Sequence, residues 1–338
     1  MKQFIVPAGG GLENLRVDDV AEPGAPGPGE IRVQVKASSL NFHDYMVISG
    51  SMPPDEDRVP LADGSGVVAE VGEGVDEFAV GDHVVSVFFP LWQSGDDVES
   101  SFSGSPGDGV DGYARESVVR PANWFTAAPE GWTHPEAATI TTAGATAWRC
   151  LVTEGGLKPG QTVALLGTGG VSILALQIAK AMGATVAITS SSDEKLARAR
   201  ELGADITVNY NDDPEWGRTI KKQTGGADIV LESAGAQTLP QSLRAVKPGG
   251  VISLIGVVAG DKGEIPTALL MTKQVRLHGV LVGSRATQQE FVTAMDGLGI
   301  RPVLDQTLPM TDLAKACELM QDESHLGKIA LELSLIHI

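Results

Sequence analysis

The stretch TVALLGTGGVSILALQIAKAMGATVAITSSSDEK, Thr162 to Lys195, decides the fold. Val163 to Leu166 is apolar without polar alternation, the pattern of a strand buried on both faces. Gly167-Thr168-Gly169-Gly170-Val171-Ser172 follows and opens into a helical pattern. Gly167 permits a tight turn, and Gly169 or Gly170 lets backbone amides approach a pyrophosphate. The helix starting near Val171 aims the positive end of its dipole at that charge. Ser172 stands where a third glycine would allow close packing of helix on strand, and serine is small enough to be tolerated. A second strand, Thr185 to Thr189, completes a βαβ unit, so a dinucleotide site is expected here.

An acidic side chain at the end of that second strand would hydrogen-bond a ribose 2′-hydroxyl. The strand ends instead in Ser190-Ser191-Ser192-Asp193-Glu194-Lys195. A 2′-phosphate suits Lys195, with Ser190 and Ser191 donating. Ser192 or Asp193 also suits a helix cap with Lys195 in the first turn, and the two readings are compatible. NADPH is the expected cofactor, with NADH less favoured.

Outward from this unit, residues 126–284 alternate apolar runs with helical stretches: TVAITS, DEKLARARELG, ADITVNY, DIVLESAG and VISLIGVV. That alternation predicts a doubly wound parallel sheet covered by helices, a Rossmann domain. Residues 1–125 read differently, as short strands at Ile31 to Val35, Gly66 to Val71, His83 to Phe88 and Tyr113 to Val119, separated by glycine-rich turns. They predict a small β-rich domain with barrel-like curvature. Residues 285–338 carry two amphipathic helices, Thr287 to Leu298 and Thr311 to Met320, and a strand at Lys328 to Leu333 that could return to the first domain. The terminal SLIHI follows without a turn or cap and is assigned no function.

At 338 residues the chain is long enough for two cores. Its formal charge of -18 opposes nucleic-acid phosphates and anionic membranes. Two cysteines, Cys150 and Cys317, allow neither a disulfide framework nor a thiolate metal cluster. No apolar segment follows the charged N-terminus, and no run reaches membrane-spanning length. A cytoplasmic protein with a small-molecule substrate is expected.

These segments resemble the medium-chain dehydrogenase/reductase superfamily, in particular its zinc-independent quinone oxidoreductase and alcohol dehydrogenase-like members. The resemblance is carried by SSLNFHDYMVISG at 38–50, DGSGVVAEVGEGVDEFAVGDHVV at 63–85, DGYARESVV at 111–119, EAATITTAGATAWRCL at 136–151, the glycine turn and its helix, and GKIALEL at 327–333. It implies a GroES-like catalytic domain beside the Rossmann domain, an active site in the cleft between them, and a homodimer joined through Arg276 to Val282. It also implies that Thr146 and Val171 lie against the nicotinamide, that Gly256 and Val257 line the same pocket, and that Tyr210 and Lys195 flank the adenosine phosphate. In zinc-containing relatives the Asn41 position holds a ligating cysteine, and the Ala62-Asp63-Gly64 segment carries a histidine and a glutamate. Here Asn41 replaces the cysteine, no histidine sits beside Asp63, and Pro90 to Val110 holds none of the structural cysteines. No metal is expected.

Hydride transfer to an isolated carbonyl leaves an alkoxide that zinc would stabilise. Without zinc, the acceptor must delocalise the charge or a protein acid must supply a proton. The candidates are Asn41 as an amide donor to the substrate oxygen, His43 at the position of the relatives' proton relay, and Tyr45 as a phenolic donor. The expected reaction is NADPH-dependent reduction of a quinone or activated alkene. A zinc-free alcohol dehydrogenase or aldehyde reductase is the alternative, and a non-catalytic NADPH-binding redox sensor the remote one.

Overall fold

The computed structural model describes residues 1–95 and 101–333. The SLIHI tail and residues 96–100 of the Pro90 to Val110 segment lie outside them. Strands β1 (Lys2–Ile5) and β2 (Arg16–Asp19) form an antiparallel ribbon. β3 (Glu30–Ser39) follows, with Ile31, Val33, Val35 and Ala37 buried and their neighbours turned outward, the period of two of a strand with one buried face. The alternation stops at Ser38 and Ser39, which are both buried. The chain then enters helix α1 (Phe42–Ser49) and continues through β4 (Ser65–Val71), β5 (His83–Ser86), β6 (Ser117–Pro121), β7 (Phe125–Ala127) and helix α2 (His134–Ala138).

A short helix α3 (Ala145–Trp148) precedes the alternating region: β8 (Thr162–Leu166), α4 (Gly170–Ala181), β9 (Thr185–Ser190), α5 (Asp193–Glu201), β10 (Ile206–Asn209), α6 (Trp216–Thr224), β11 (Ala227–Glu232), α7 (Leu239–Ala245), β12 (Val246–Leu254), α8 (Thr267–Thr272) and β13 (Arg276–Gly279). Helix α9 (Arg285–Leu298), β14 (Leu304–Pro309), α10 (Leu313–Gln321) and β15 (Lys328–Glu332) close the described chain.

Two compact units result. One takes residues 1–145, 283–297 and 301 onward, the other residues 146–282 and 298–300. The first junction falls at residue 145 and not at 125, because β7 pairs with β5 and α2 packs on β3 and β4, tying both to the β-rich sheet. That sheet runs β14-β15-β3-β4-β5-β7, with β6 also pairing to β3. β6 takes β3 over Glu30–Gln34, and β15 takes it over Ala37–Ser39. Ile31, Val33, Leu61, Tyr113, Leu313 and Ile329 share one core, so the C-terminal segment completes the N-terminal domain.

The second unit is a six-stranded parallel sheet in the order β10-β9-β8-β11-β12-β13. The chain moves outward from β8 through β9 to β10, then returns to β11 on the other side of β8. This is the doubly wound order, and ligands bind at the carboxyl ends of its strands where the winding reverses. The fold is therefore α/β, a Rossmann sheet with a β-rich second domain, as the sequence implies. Among the described residues no helix is long and apolar enough to cross a membrane.

Candidate functional site

On the parallel unit, the carboxyl ends of β8, β9, β11 and β12 carry the expected cofactor residues. Gly167 has φ +73, a left-handed conformation natural to glycine, and no atom lies within 4 Å of a Cβ built on Gly167 or Gly169. The turn is thus an open cradle. Gly169 is the N-cap of α4, Gly170 its first residue, and Val171 follows in the first turn. Ser172 does more than substitute for a small glycine: its hydroxyl donates to the Leu166 carbonyl at 2.7 Å and ties the helix start to the strand end.

At the end of β9, Ser190 is buried and its hydroxyl accepts from the Ser192 amide at 3.2 Å, while Ser191 is exposed. Ser192 caps α5 by accepting from the Lys195 amide, so Lys195 sits in the first turn as the capping alternative requires. Asp193 accepts from Asn209 at 3.0 Å. Tyr210 follows β10 and is 39% exposed. Thr146 is buried in α3. Gly256 follows β12 where a Cβ would lie 2.3 Å from the Ser233 carbonyl oxygen, so a side chain there would force the two loops apart. Val257, beside it, is 54% exposed.

The sequence reading missed the group that organises this crest. Glu232, fully buried at the end of β11, accepts from the amides of Ala234 and Gly235, both at 3.0 Å, and from the hydroxyls of Thr238 (2.6 Å) and Ser242 (2.5 Å). Ser233 donates to Leu166, joining the β11 loop to the glycine turn. A nicotinamide dinucleotide fits this cradle. Gly167, Gly169 and Gly170 would hold its pyrophosphate, and the β9 end its adenosine ribose.

On the β-rich unit the site begins with register. Ala330 lies opposite Ser39, which sets Lys328 opposite residue 41. The Lys328 ammonium, buried, donates to the Leu40 carbonyl at 2.8 Å and to Asn41 Oδ1 at 2.5 Å, and lies 3.5 Å from Asp63 Oδ2. Asp63 is fully buried; it accepts from Thr142 at 2.6 Å and from the Ser39 hydroxyl. The amide nitrogen of Asn41 donates to Asp44 Oδ2 at 3.0 Å, and Asp44 also accepts the backbone amides of Asn41 (2.9 Å) and Ala62 (3.0 Å). Burial raises the Asp44 pKa, and the neighbouring Asp63 adds to the rise. Burial lowers the Lys328 pKa, with Asp63 and Asp44 opposing it.

This geometry changes the place of Asn41. Both ends of its side-chain amide are engaged with protein, so it braces the start of α1 rather than holding out a donor to substrate. Tyr45 turns away as well, its ring packing on the unit's core and lying 5.8 Å from Phe42. Residues two apart on a helix do not share a face, so Tyr45 and His43 do not converge. His43 is held otherwise. Its Nε2 lies 3.0 Å from Asp108 Oδ2, its ring stacks on Phe102 at 4.6 Å, and the Phe88 ring meets it edge-on at 5.6 Å.

The donor set does not suit zinc. Around Asn41 and Asp63 the ligating atoms are oxygens, and an ammonium already stands among them, where its charge would repel a dication. Burial also pushes both thiols, Cys150 and Cys317, up to about 12, so neither is poised as a thiolate nucleophile.

Two family models match the chain: the alcohol dehydrogenase GroES-like domain over residues 27–130, and the zinc-binding dehydrogenase over residues 170–298. A zinc-type alcohol dehydrogenase-like protein of Schizosaccharomyces pombe is 36% identical over 334 residues, 96% of each chain. The chain belongs to the medium-chain dehydrogenase/reductase superfamily. An alcohol dehydrogenase of Geobacillus stearothermophilus is 30% identical over 94% of this chain and 96% of that one. The crystal structure of a putative alcohol dehydrogenase from Sinorhizobium meliloti superposes with a TM-score of 0.90 at 38% identity, over 98% of this chain and 100% of that one. That of an NAD-dependent alcohol dehydrogenase gives 0.86 at 35%, with the same coverage. This medium-chain dehydrogenase/reductase is accordingly an oxidoreductase of the alcohol dehydrogenase-like type. The match named for zinc binding begins at residue 170 and includes none of Asn41, Asp63, Thr142 or Lys328.

Proposed function

We propose that this oxidoreductase reduces a quinone, enone or enal with NADPH and without zinc. The observation that carries the reading is Lys328: a fixed ammonium bonded to Asn41 beside Asp63 leaves no open metal position to polarise an isolated carbonyl. An acceptor that spreads the incoming negative charge needs only a proton donor. His43 is that donor, Asn41 braces the helix that bears it, and Tyr45 is packing. When bound, the dinucleotide supplies the hydride. Ser190, Ser191 and Lys195 favour a 2′-phosphate over a bare ribose, since Asp193, the nearby carboxylate, is turned to Asn209.

The test follows NADPH and NADH oxidation with quinones, enones and simple aldehydes, before and after treatment with a chelator. Turnover of conjugated acceptors that prefers NADPH and survives the chelator is the expected result. Chelator-sensitive turnover, or turnover confined to unconjugated aldehydes, overturns it. Zinc-free alcohol dehydrogenase activity is the second reading, favoured by the NAD-dependent alcohol dehydrogenase among the solved relatives. It predicts alcohol oxidation with NAD in the same assay.

The assembly we propose is a homodimer through Arg276 to Val282. β13 is the edge strand of the parallel sheet, with β12 its only partner among the described residues. An edge of this kind is seldom left bare. Sedimentation at micromolar concentration should give twice the chain mass, and a monomer mass would refute the proposal.

A further inference from the structure

His43 and Asp108 are 65 positions apart, yet the fold sets them 3.0 Å apart, Nε2 to Oδ2, and both are largely buried. Asp108 sits in a tight turn closed by the Gly107 amide on the Val110 carbonyl at 2.8 Å. Gly109, the next residue, has backbone so close to Ser103 that a Cβ would lie 2.2 Å away. The carboxylate is therefore presented by backbone that has little room to move. Phe102 stacks on the imidazole at an interplanar angle of 20° and Phe88 abuts it at 65°, so the ring plane is fixed as well. The other ring nitrogen, Nδ1, is buried and has no hydrogen-bond partner among the described residues.

Buried polar atoms are nearly always paired, and one left bare beside an anchored partner atom calls for a role. A carboxylate can only accept from the ring when ionised, so a neutral His43 carries its hydrogen on Nε2 and leaves a lone pair on Nδ1. The protonated ring offers a second hydrogen from Nδ1 alone.

We infer that Asp108 is a positioning residue that fixes the tautomer and orientation of His43, so that Nδ1 delivers the proton to the acceptor. The inference rests on the reductase reading above and names its proton path. A bound dinucleotide would supply the hydride, with its electron pair, to the acceptor. The Nδ1–H bond breaks, an O–H bond forms on the acceptor oxygen, and the ring is left neutral with Nε2–H still on Asp108. The ring regains its proton from solvent before the next turnover.

Two measurements test it. Ring-nitrogen chemical shifts of histidine-labelled protein, with the His43 signal assigned by its loss in His43→Gln, should show hydrogen on Nε2 of the neutral ring in the parent. Asp108→Asn, which keeps the side chain's shape, should lose that preference. In the assay, Asp108→Asn should lower kcat about tenfold to a hundredfold with the KM for NADPH unchanged, no more than the lower end of what general acid catalysis contributes, since His43 itself remains. The double variant should be no slower than His43→Gln alone, because both changes disable one device. An unchanged tautomer, an unchanged kcat, or effects that multiply would each overturn the assignment. A parent protein that reduces no acceptor sinks the reductase reading, and the nitrogen shifts then decide the dyad on their own.

Discussion

Replacing Lys328 with methionine should cost about 3–5 kcal/mol of stability at neutral pH, the usual penalty for removing one partner of a buried ion pair. Methionine matches much of the length and apolar stem of lysine, so packing is largely kept. Charge balance is not. Asp63 and Asp44, 0% and 2% exposed, would face each other without the ammonium, and the Leu40 carbonyl and Asn41 Oδ1 would lose their donor. Urea unfolding of Lys328→Met, Asp63→Asn and the double variant measures the pairing directly. The double variant should recover about 1–3 kcal/mol relative to the sum of the single changes, the range for groups in direct contact. The deficit of Lys328→Met should also narrow as pH falls. Burial and Asp63 already raise the Asp44 pKa, and without the ammonium the folded protein binds a proton more readily than the unfolded chain. Stability relative to the parent is then regained between neutral pH and the ordinary carboxylate range. A small deficit that does not change with pH would mean that the cluster is held together by packing alone.

The contrast between the two units shows which parts of the structure a linear reading reaches. β8, β9, β11 and β12 are legible because a strand buried on both faces announces itself by an unbroken apolar run, and the glycine turn is contiguous with one of them. β2 and β14 escape the reading because they are short and half-exposed, with polar residues on both sides. Helix α1 hides its buried face because that face includes Asp44, a charge where periodicity expects an apolar side chain. The site on the β-rich unit is less legible still, since Lys328 meets Asn41 across 287 positions by strand register. Its only local sign is a lysine opening an apolar strand in GKIALEL. Asp108 and Phe102 lie in an irregular glycine-rich loop, where no period exists to assign a face. Glu232 had a clearer signal: a carboxylate ending the apolar run DIVLE, followed by small residues, marks a strand end whose loop must be held by hydrogen bonds.

Glu232→Ala should be the most damaging change on the parallel unit, with a stability loss of about 3–5 kcal/mol, at the far end of what single substitutions do. Two of the donors it serves are the backbone amides of Ala234 and Gly235, which cannot find a new acceptor without moving the loop. Ser242, fully buried, loses its acceptor at the same time, at a cost of about 1–3 kcal/mol for a buried donor left bare, while Thr238 keeps only its bond to the Gly235 carbonyl. The functional effect follows from where that loop lies. The Ser233 carbonyl sits against Gly256, and the Ser233 hydroxyl is bonded to Leu166 at the mouth of the glycine turn, so a displaced loop reaches both walls of the cradle. NADPH affinity, read by quenching of tryptophan fluorescence, should fall at least about tenfold, equivalent to roughly 1.4 kcal/mol. Glu232→Gln keeps the size but turns an amide group toward donors, so it should lie between the parent and the alanine variant in both measurements. An alanine variant that loses stability yet binds NADPH normally would separate the β11 loop from the cofactor. The dinucleotide would then rest on the glycine turn and the β9 end alone.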